Sequence, residues 1–466
     1  MKKIITCIVL CLVAVTAMCQ RKKPNVIIIL VDDMGYGDLG CYGNKLIKTP
    51  NIDQLAREGC LFTQAYASAA VCTPSRYGLL TGRYPWRSSL KKGVVAESPS
   101  LISPSQYTLP KLFKDAGYAT AAIGKWHLGF GEKRGPIDFN KPVVPGPNEV
   151  GFDYFFGLPV GHFYPPYVYM RNHLVLGLEK NDPISRNKLE QIGGKKAMIK
   201  RDSVNYTLFE EANNFIREHR DKPFFLYLAT TIPHLPFDVR KDFAGSGPVG
   251  RYGDVIRELD MEVGRLMKGL KQLNLDKNTI VIFTSDNGGE AISPAQAKKF
   301  GMEGYNPNAP FRGKKGDVFE GGVREPFIIH YSGTNKPGSQ SDEIICTTDL
   351  LASFASLLDI ELPAQAGEDS YDILPVLLNQ QKLNERPLVL QGRGGFLALR
   401  LGDWKYIACP GSGDREALEK LPADAPPVQL YNIKDDPGEK NNLYKVQEER
   451  VKEMNALLEK IKTKTP

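Results

Sequence analysis

Residues 25–33 read NVIIILVDD, an apolar run that ends abruptly in two aspartates. The run is short and rich in isoleucine and valine. That length and composition predict a strand over Asn25–Val31 with both faces buried. Further runs of the same kind lie outward along the chain: Ala119–Gly124, Phe224–Ala229 (FFLYLA), Thr279–Thr284 (TIVIFT) and Phe327–His330. Between them stand helical patterns. Thr49-Pro50 opens one that runs through Glu58, with threonine as cap and proline in the first turn. Asp202–Glu218, Asp254–Leu273 and Thr348–Leu358 carry apolar residues at helical spacing. Strand–helix alternation over some 330 residues predicts an α/β fold built on a large, mostly parallel sheet with helices on both faces.

From about Pro363 the pattern changes. Pro387–Gln391, Phe396–Leu401, Trp404–Ala408 and Gln429–Asn432 read as short strands joined by turns, and Gln447–Lys462 as an amphipathic helix. This predicts a small C-terminal antiparallel sheet with one helix. The expected organisation is a leader over residues 1–19, a larger domain over 20–362 and a smaller one over 363–466. Asp138–Glu149 and Asn181–Lys200 read as surface loops. No internal repeat is evident.

Composition narrows the function classes. The 466 residues are 42% hydrophobic and 24% charged, an ordinary globular balance. Lys2 and Lys3 followed by the apolar Ile4–Met18 and the site Ala17-Met18-Cys19 read as a secretory signal. Lipidation at Cys19 is the alternative for the same segment. Export to the periplasm or cell surface is expected, with no integral membrane span once the leader is removed. The net charge of +7 is mild, and no basic run interleaved with aromatics suggests nucleic acid. Five cysteines lie beyond the leader, Cys41, Cys60, Cys72, Cys346 and Cys409. Their number is odd and their spacing irregular, which excludes a disulfide scaffold or a zinc site.

In open α/β sheets the functional site forms beyond the carboxyl ends of the strands. Asp32 and Asp33 follow the first strand, and Lys125, Trp126 and His127 the second. His234 follows Phe224–Ala229, and Asp286 and Asn287 follow Thr279–Thr284. The oxygen ligands Asp32, Asp33, Asp286 and Asn287 suit Ca²⁺ or Mg²⁺. Lys125, His127, His234 and a lysine near 315 would form a cationic pocket for a tetrahedral oxyanion, phosphate or sulfate. Residues 71–83 read VCTPSRYGLLTGR. Thr73-Pro74 reads as N-cap and first helical residue, which puts Cys72 at a helix N-terminus, where an anion or thiolate is favoured, and Arg76 one turn on.

Cys72-Thr73-Pro74-Ser75-Arg76 followed by Leu80-Thr81-Gly82-Arg83 resembles the signature of the type I sulfatases. Residues 25–43, 124–129 (GKWHLG), 285–289 (SDNGG), 312–326 (RGKKGDVFEGGVREP) and 430–443 resemble further blocks of that family, so the likeness covers essentially the whole mature chain. The resemblance implies an alkaline-phosphatase-like fold and a sulfuric ester hydrolase. It implies that Cys72 is oxidised to formylglycine (3-oxoalanine) by a maturation enzyme, and that Asp32, Asp33, Asp286, Asn287 and residue 72 hold Ca²⁺. The hydrated aldehyde would attack sulfur, Arg76 would stabilise it, and His127 would take a proton from it to release sulfate. Lys125 and Lys315 would bind sulfate oxygens, and His234 with Lys315 would support the leaving alcohol. Lys315 rather than Lys314 matches the family lysine.

His234-Leu235-Pro236 and residues 250–260 resemble the branch of arylsulfatase A and N-acetylgalactosamine-6-sulfatase. That implies exo-acting desulfation of sulfated galactose or N-acetylgalactosamine on a glycan, with His173, Asp238 or Arg240 meeting sugar hydroxyls. The alternatives are a phosphatase or phosphonate monoester hydrolase of the same superfamily, an inert glycan-binding relative, and a cysteine-dependent hydrolase in which Cys72 stays a thiol.

Overall fold

The computed structural model describes residues 23–463 except 89, 91–97, 188–189, 246, 291, 333–335 and 380. The expected leader lies outside the described residues. An eleven-stranded sheet organises the chain. Its strands are β1 (Asn25–Asp32), β2 (Cys60–Tyr66), β3 (Ala119–Lys125), β4 (Tyr154–Leu158), β5 (Met170–Arg171), β6 (Leu174–Val175), β9 (Phe224–Pro233), β10 (Thr279–Ser285), β11 (Arg324–His330), β12 (Ser339–Ser341) and β13 (Ile345–Cys346). A hairpin, β7 (Ser185–Asn187) and β8 (Glu190–Ile192), stands apart, where a plain loop was expected. The order is β12-β2-β11-β10-β1-β9-β3-β4-β5-β6, with β13 beside β2. β1 is central and runs parallel to β10 and β9, β3 runs parallel to β9, and β4 parallel to β3. β11 is antiparallel to both β10 and β2.

Burial explains why β1 is apolar without alternation. Val26, Ile28 and Leu30 face one core layer, and Ile27, Ile29 and Val31 the other. Helices α1 (Pro50–Glu58), α4 (Val204–Glu218) and α5 (Gly250–Gln272) cover the second layer. Helices α2 (Cys72–Thr81), α3 (Leu109–Asp115) and α6 (Leu350–Leu358) cover the first. In α4 the stripe Leu208, Phe209, Ala212, Phe215 and Ile216 is buried. Each large member contributes about 1.5–3 kcal/mol.

The second sheet has the strands β14 (Leu388–Gln391), β15 (Leu397–Leu401), β16 (Trp404–Ile407) and β17 (Gln429–Asn432), antiparallel in that order. Helix α7 (Glu448–Thr463) packs Met454 and Leu458 on it. Ile373, Val376 and Leu377 sit instead in the core beneath α2 and α6. The end of β14 is sewn to the loop ahead of α2: Gln391 N donates to Ser68 O at 3.1 Å, and Ala70 N to Gln391 O at 2.8 Å. The small sheet therefore braces the turn that presents Cys72. None of the described helices is long and apolar enough to cross a membrane.

Candidate active site

Four parallel strands of the large sheet bring their carboxyl ends to one edge, and each delivers polar groups there. β1 ends in Asp32, and Asp33 follows at φ 65°. A left-handed backbone at a non-glycine residue is uncommon. The turn aims both aspartates along one edge. β10 hands over Asp286 and Asn287, and the two turns are tied: Asp33 N donates to Asp286 Oδ1 at 3.1 Å and Met34 N to Ser285 Oγ at 3.0 Å. β3 ends in Lys125, and His127 follows, also left-handed at φ 57°. β9 runs to Pro233 and presents His234.

Helix α2 supplies the remainder. It begins at Cys72 with Val71 as cap residue, so Thr73 is not the cap that the sequence suggested. The Thr73 hydroxyl instead donates to His127 O at 2.9 Å, and Ser75 N donates to Val71 O at 3.2 Å. Pro74 still lies in the first turn, where its missing N–H costs nothing. Cys72 Sγ is 3.6 Å from Asp32 Oδ1 and 3.6 Å from Asp33 Oδ1. Burial, then Asp286, pushes this thiol well above its ordinary value. Burial first and the neighbouring carboxylates second oppose the thiolate form that a helix N-terminus would favour.

Charge in the site is dense and buried. Arg76 Nε and Nη2 reach Asp286 Oδ2 at 2.9 and 2.8 Å, Nη2 reaches Asp32 at 3.3 Å, and Nη1 donates to Lys125 O at 3.1 Å. Lys125 Nζ holds both oxygens of Asp32, at 2.7 and 2.9 Å. Lys315 Nζ is 2.6 Å from Asp33 Oδ2, and His234 Nε2 is 3.5 Å from the same oxygen. Burial raises Asp33, but Lys315 and His234 overcome it and hold the carboxyl well below the usual range. Burial pushes Asp286 up to about 6, with Arg76 offsetting part of the rise and Asp32 adding to it. Burial, then Lys315, pushes the His234 imidazole well below its ordinary value.

A cation fits this arrangement. Ligand atoms of Asp32, Asp33, Cys72 and Asp286 all lie within 4.8 Å of one another. Asn287 donates through Nδ2 to Asp33 Oδ1 at 2.8 Å, while its buried Oδ1 has no hydrogen-bond partner. An orphaned buried acceptor beside three buried carboxylates is the donor set of a hard ion.

The sequence did not single out several residues that stand here. Glu290 pairs with Lys315 at 3.3 Å and lies within 4.8 Å of Asp33 and His234. Glu325 on β11 is fully buried, with neither carboxyl oxygen hydrogen-bonded; burial, then Asp286 and Asp33, keeps its acid protonated to well above the ordinary value. His162 and Phe163 follow β4. The rule applied to the other strand ends would have found them, had the short aromatic run Tyr154–Leu158 between Gly151 and Pro159 been read as a strand.

Three expected sugar contacts are engaged elsewhere. His173 Nε2 meets Glu149 Oε1 at 2.8 Å. Asp238 lies 3.2 Å from Arg201 Nε. Arg240 binds Asp242 and, at 3.2 Å, Glu262.

Comparison with known proteins agrees with this geometry. The sulfatase family pattern matches residues 24–360. The chain is 38% identical over 487 aligned positions to the N-acetylgalactosamine-6-O-sulfatase of Bacteroides thetaiotaomicron, covering 96% of this chain and 94% of that one. It is 33% identical to human arylsulfatase A over 459 positions, covering 93% and 86%. A solved 6S-sulfatase chain from Bacteroides thetaiotaomicron, described in connection with its metabolism of multiple glycosaminoglycans, superposes with a TM-score of 0.88 at 36% identity, over 95% of this chain and all of that one. With the family pattern spanning the large sheet and every strand end that carries the acidic cluster, the chain belongs to the sulfatase family, in the branch of N-acetylgalactosamine-6-sulfatase and arylsulfatase A, and is a sulfuric ester hydrolase.

Proposed function

We propose that the chain removes the 6-sulfate from N-acetylgalactosamine or galactose at glycan ends. The observation that carries this reading is the near full-length likeness to an N-acetylgalactosamine-6-O-sulfatase, joined to a pocket in which three cations surround the acidic cluster. Asp32, Asp33, Asp286, Asn287 and residue 72 would hold Ca²⁺. The ion and the formylglycine made from Cys72 would together supply the oxygen nucleophile for sulfur.

The chain's own groups would do the remainder. Lys125 and Lys315 would bind sulfate oxygens, since both ammonium groups are buried beside the cluster. Arg76 would fix Asp286 and Asp32 through its forked contacts and stabilise charge at residue 72. His127 would take the proton there. His234 would hand a proton to the leaving sugar oxygen from Nε2. A bound sulfate ester brings negative charge next to the imidazole, which favours its protonated form.

On the sugar side we retain Asp238, His173 and Arg240, with Asp238 foremost because it stands four residues beyond His234 and within electrostatic reach of His162. We also infer export through residues 1–19, maturation by a formylglycine-generating enzyme, and a division into a catalytic domain over 20–362 and a smaller one over 363–466.

The test has two parts. Mass spectrometry of the Cys72 peptide from protein made in a host with a maturation enzyme should show thiol converted to aldehyde. Sulfate release should then be greatest from 6-sulfated N-acetylgalactosamine or galactose among 3-, 4- and 6-sulfated sugars. An unmodified thiol in active protein, or preference for phosphate or phosphonate esters, would sink the reading.

A further inference from the structure

The turn after β4 carries a ring that stands among His234, His127, His162 and Lys125. The Phe163 ring lies parallel to the His234 imidazole, with centroids 4.0 Å apart and planes 16° apart. It stands edge-on to His127 at 6.1 Å and to His162 at 6.2 Å. Lys125 Nζ is 5.1 Å from its centroid. The chain makes room for it. A Cβ at Gly161 would lie 2.5 Å from the Phe163 ring, so any other residue there would displace it. Gly161 bridges to Tyr164 across this turn. His162 donates from Nε2 to Pro236 O at 2.9 Å, which ties the turn to the His234-Leu235-Pro236 segment.

The stacking matters because of what His234 must do. Its Nδ1 donates to Leu235 O, and its Nε2 faces Asp33. Rotation of the imidazole about its side-chain axis would turn Nε2 away from the leaving oxygen. A flat ring stacked against one face blocks that rotation, and such aromatic pairs favour offset parallel geometry. We propose that Phe163 is the positioning residue of the leaving-group side: held by Gly161 and His162, it sets the plane of His234 so that Nε2 points at the ester oxygen. This rests on the assignment of His234 to the leaving group.

Leaving-group dependence tests it. A nitrophenolate departs without a proton, whereas a sugar alkoxide needs one. Phe163→Leu keeps bulk but loses the flat face. Its kcat on 6-sulfated N-acetylgalactosamine should fall about 100-fold, the scale of misplacing a reacting group by an ångström. On 4-nitrophenyl sulfate the loss should be no more than about threefold, with KM little changed on both. Phe163→Tyr should recover the sugar activity to within about threefold, and in a His234→Ala background Phe163→Leu should add almost nothing. Equal losses on the two substrates, or independent losses in the double variant, would overturn the proposal. A series of aryl sulfates of rising leaving-group pKa separates this from the substrate reading. If the wild type rejects every sulfated sugar, that reading fails, while a steeper dependence in Phe163→Leu still supports the positioning role and an unchanged slope refutes it.

Discussion

Two buried charge clusters draw on residues five positions apart, Lys315 in one and Glu320 in the other, and they are finished to different degrees. Around Glu320, where the small sheet meets the large one, Lys405 and Arg324 close over the carboxylates. Glu320 Oε1 is 2.9 Å from Lys405 Nζ, and its Oε2 accepts from Tyr66 at 2.7 Å and Arg324 at 3.1 Å. Glu439 accepts from Glu320 N at 2.7 Å and lies 3.0 Å from Lys405. Burial raises Glu320, but Lys405 and Arg324 prevail and hold it at about 2. A raised acid occurs in both, Glu439 at about 7 and Asp286 at about 6, burial being the main cause each time; around Asp286, however, three carboxylates and the Cys72 sulfur bring ligand atoms within 4.8 Å of one another, and Asn287 Oδ1 beside them has no partner. The first cluster is closed and joins two sheets. The second is open, and openness marks the place where an ion and a substrate belong.

Removing the reactive group of the open cluster should have the largest effect. Cys72→Ala should lower kcat by at least roughly 10⁴-fold, because groups that act as a unit fail together; steady-state sulfate release would show it. If activity survives, the open cluster is not the reaction centre. Next comes the closed cluster. Lys405→Met removes the buried cation that Glu320 and Glu439 share and should cost about 3–5 kcal/mol in denaturant unfolding. A negligible loss would mean that the hub is not closed after all.

Calcium should distinguish the two clusters directly. At about 100 times its Kd it should add about 2.7 kcal/mol of stability, read as a higher Tm. The gain should shrink in Asp286→Asn. No gain in the wild type would break the contrast.

Acid sharpens it further. The folded-state value of Glu320, about 2, lies below its ordinary 4.5. Its stability is therefore present above about pH 4.5 and is lost as pH falls toward 2. Glu320→Gln should lack that slope when unfolding is followed across the window. The smallest expected effect is on the sugar side. Asp238→Asn should raise KM for the sulfated sugar about tenfold, one ordinary polar contact. His173→Ala should change it by less than about threefold, since that ring is spent on Glu149.

The same contrast shows what could be read in advance. β1, β3, β9 and β10 were legible because a strand buried on both faces has no choice but a continuous apolar run, and the polar residue that ends it marks the sheet edge. β2 and β4 were not, because Thr63 and Gln64 interrupt the first and the second has only five residues, two of them Phe. α5 begins at Gly250, four residues before the apolar pattern takes hold, so its start was hidden.

Sequence by itself determined the chemistry available here: the paired aspartates, Cys72 with Arg76 one helical turn on, the lysines and the histidines. Such residues are fixed by what the site needs, and local signals carry them. Tertiary structure alone decided that Thr73 spends its hydroxyl on His127, that Glu290 reaches Lys315, that β14 braces the loop before Cys72, and that Phe163 lies flat on His234. Each of these is a contact between segments tens to hundreds of residues apart. No periodicity or spacing records it, because the register that creates it exists only after both core layers have packed.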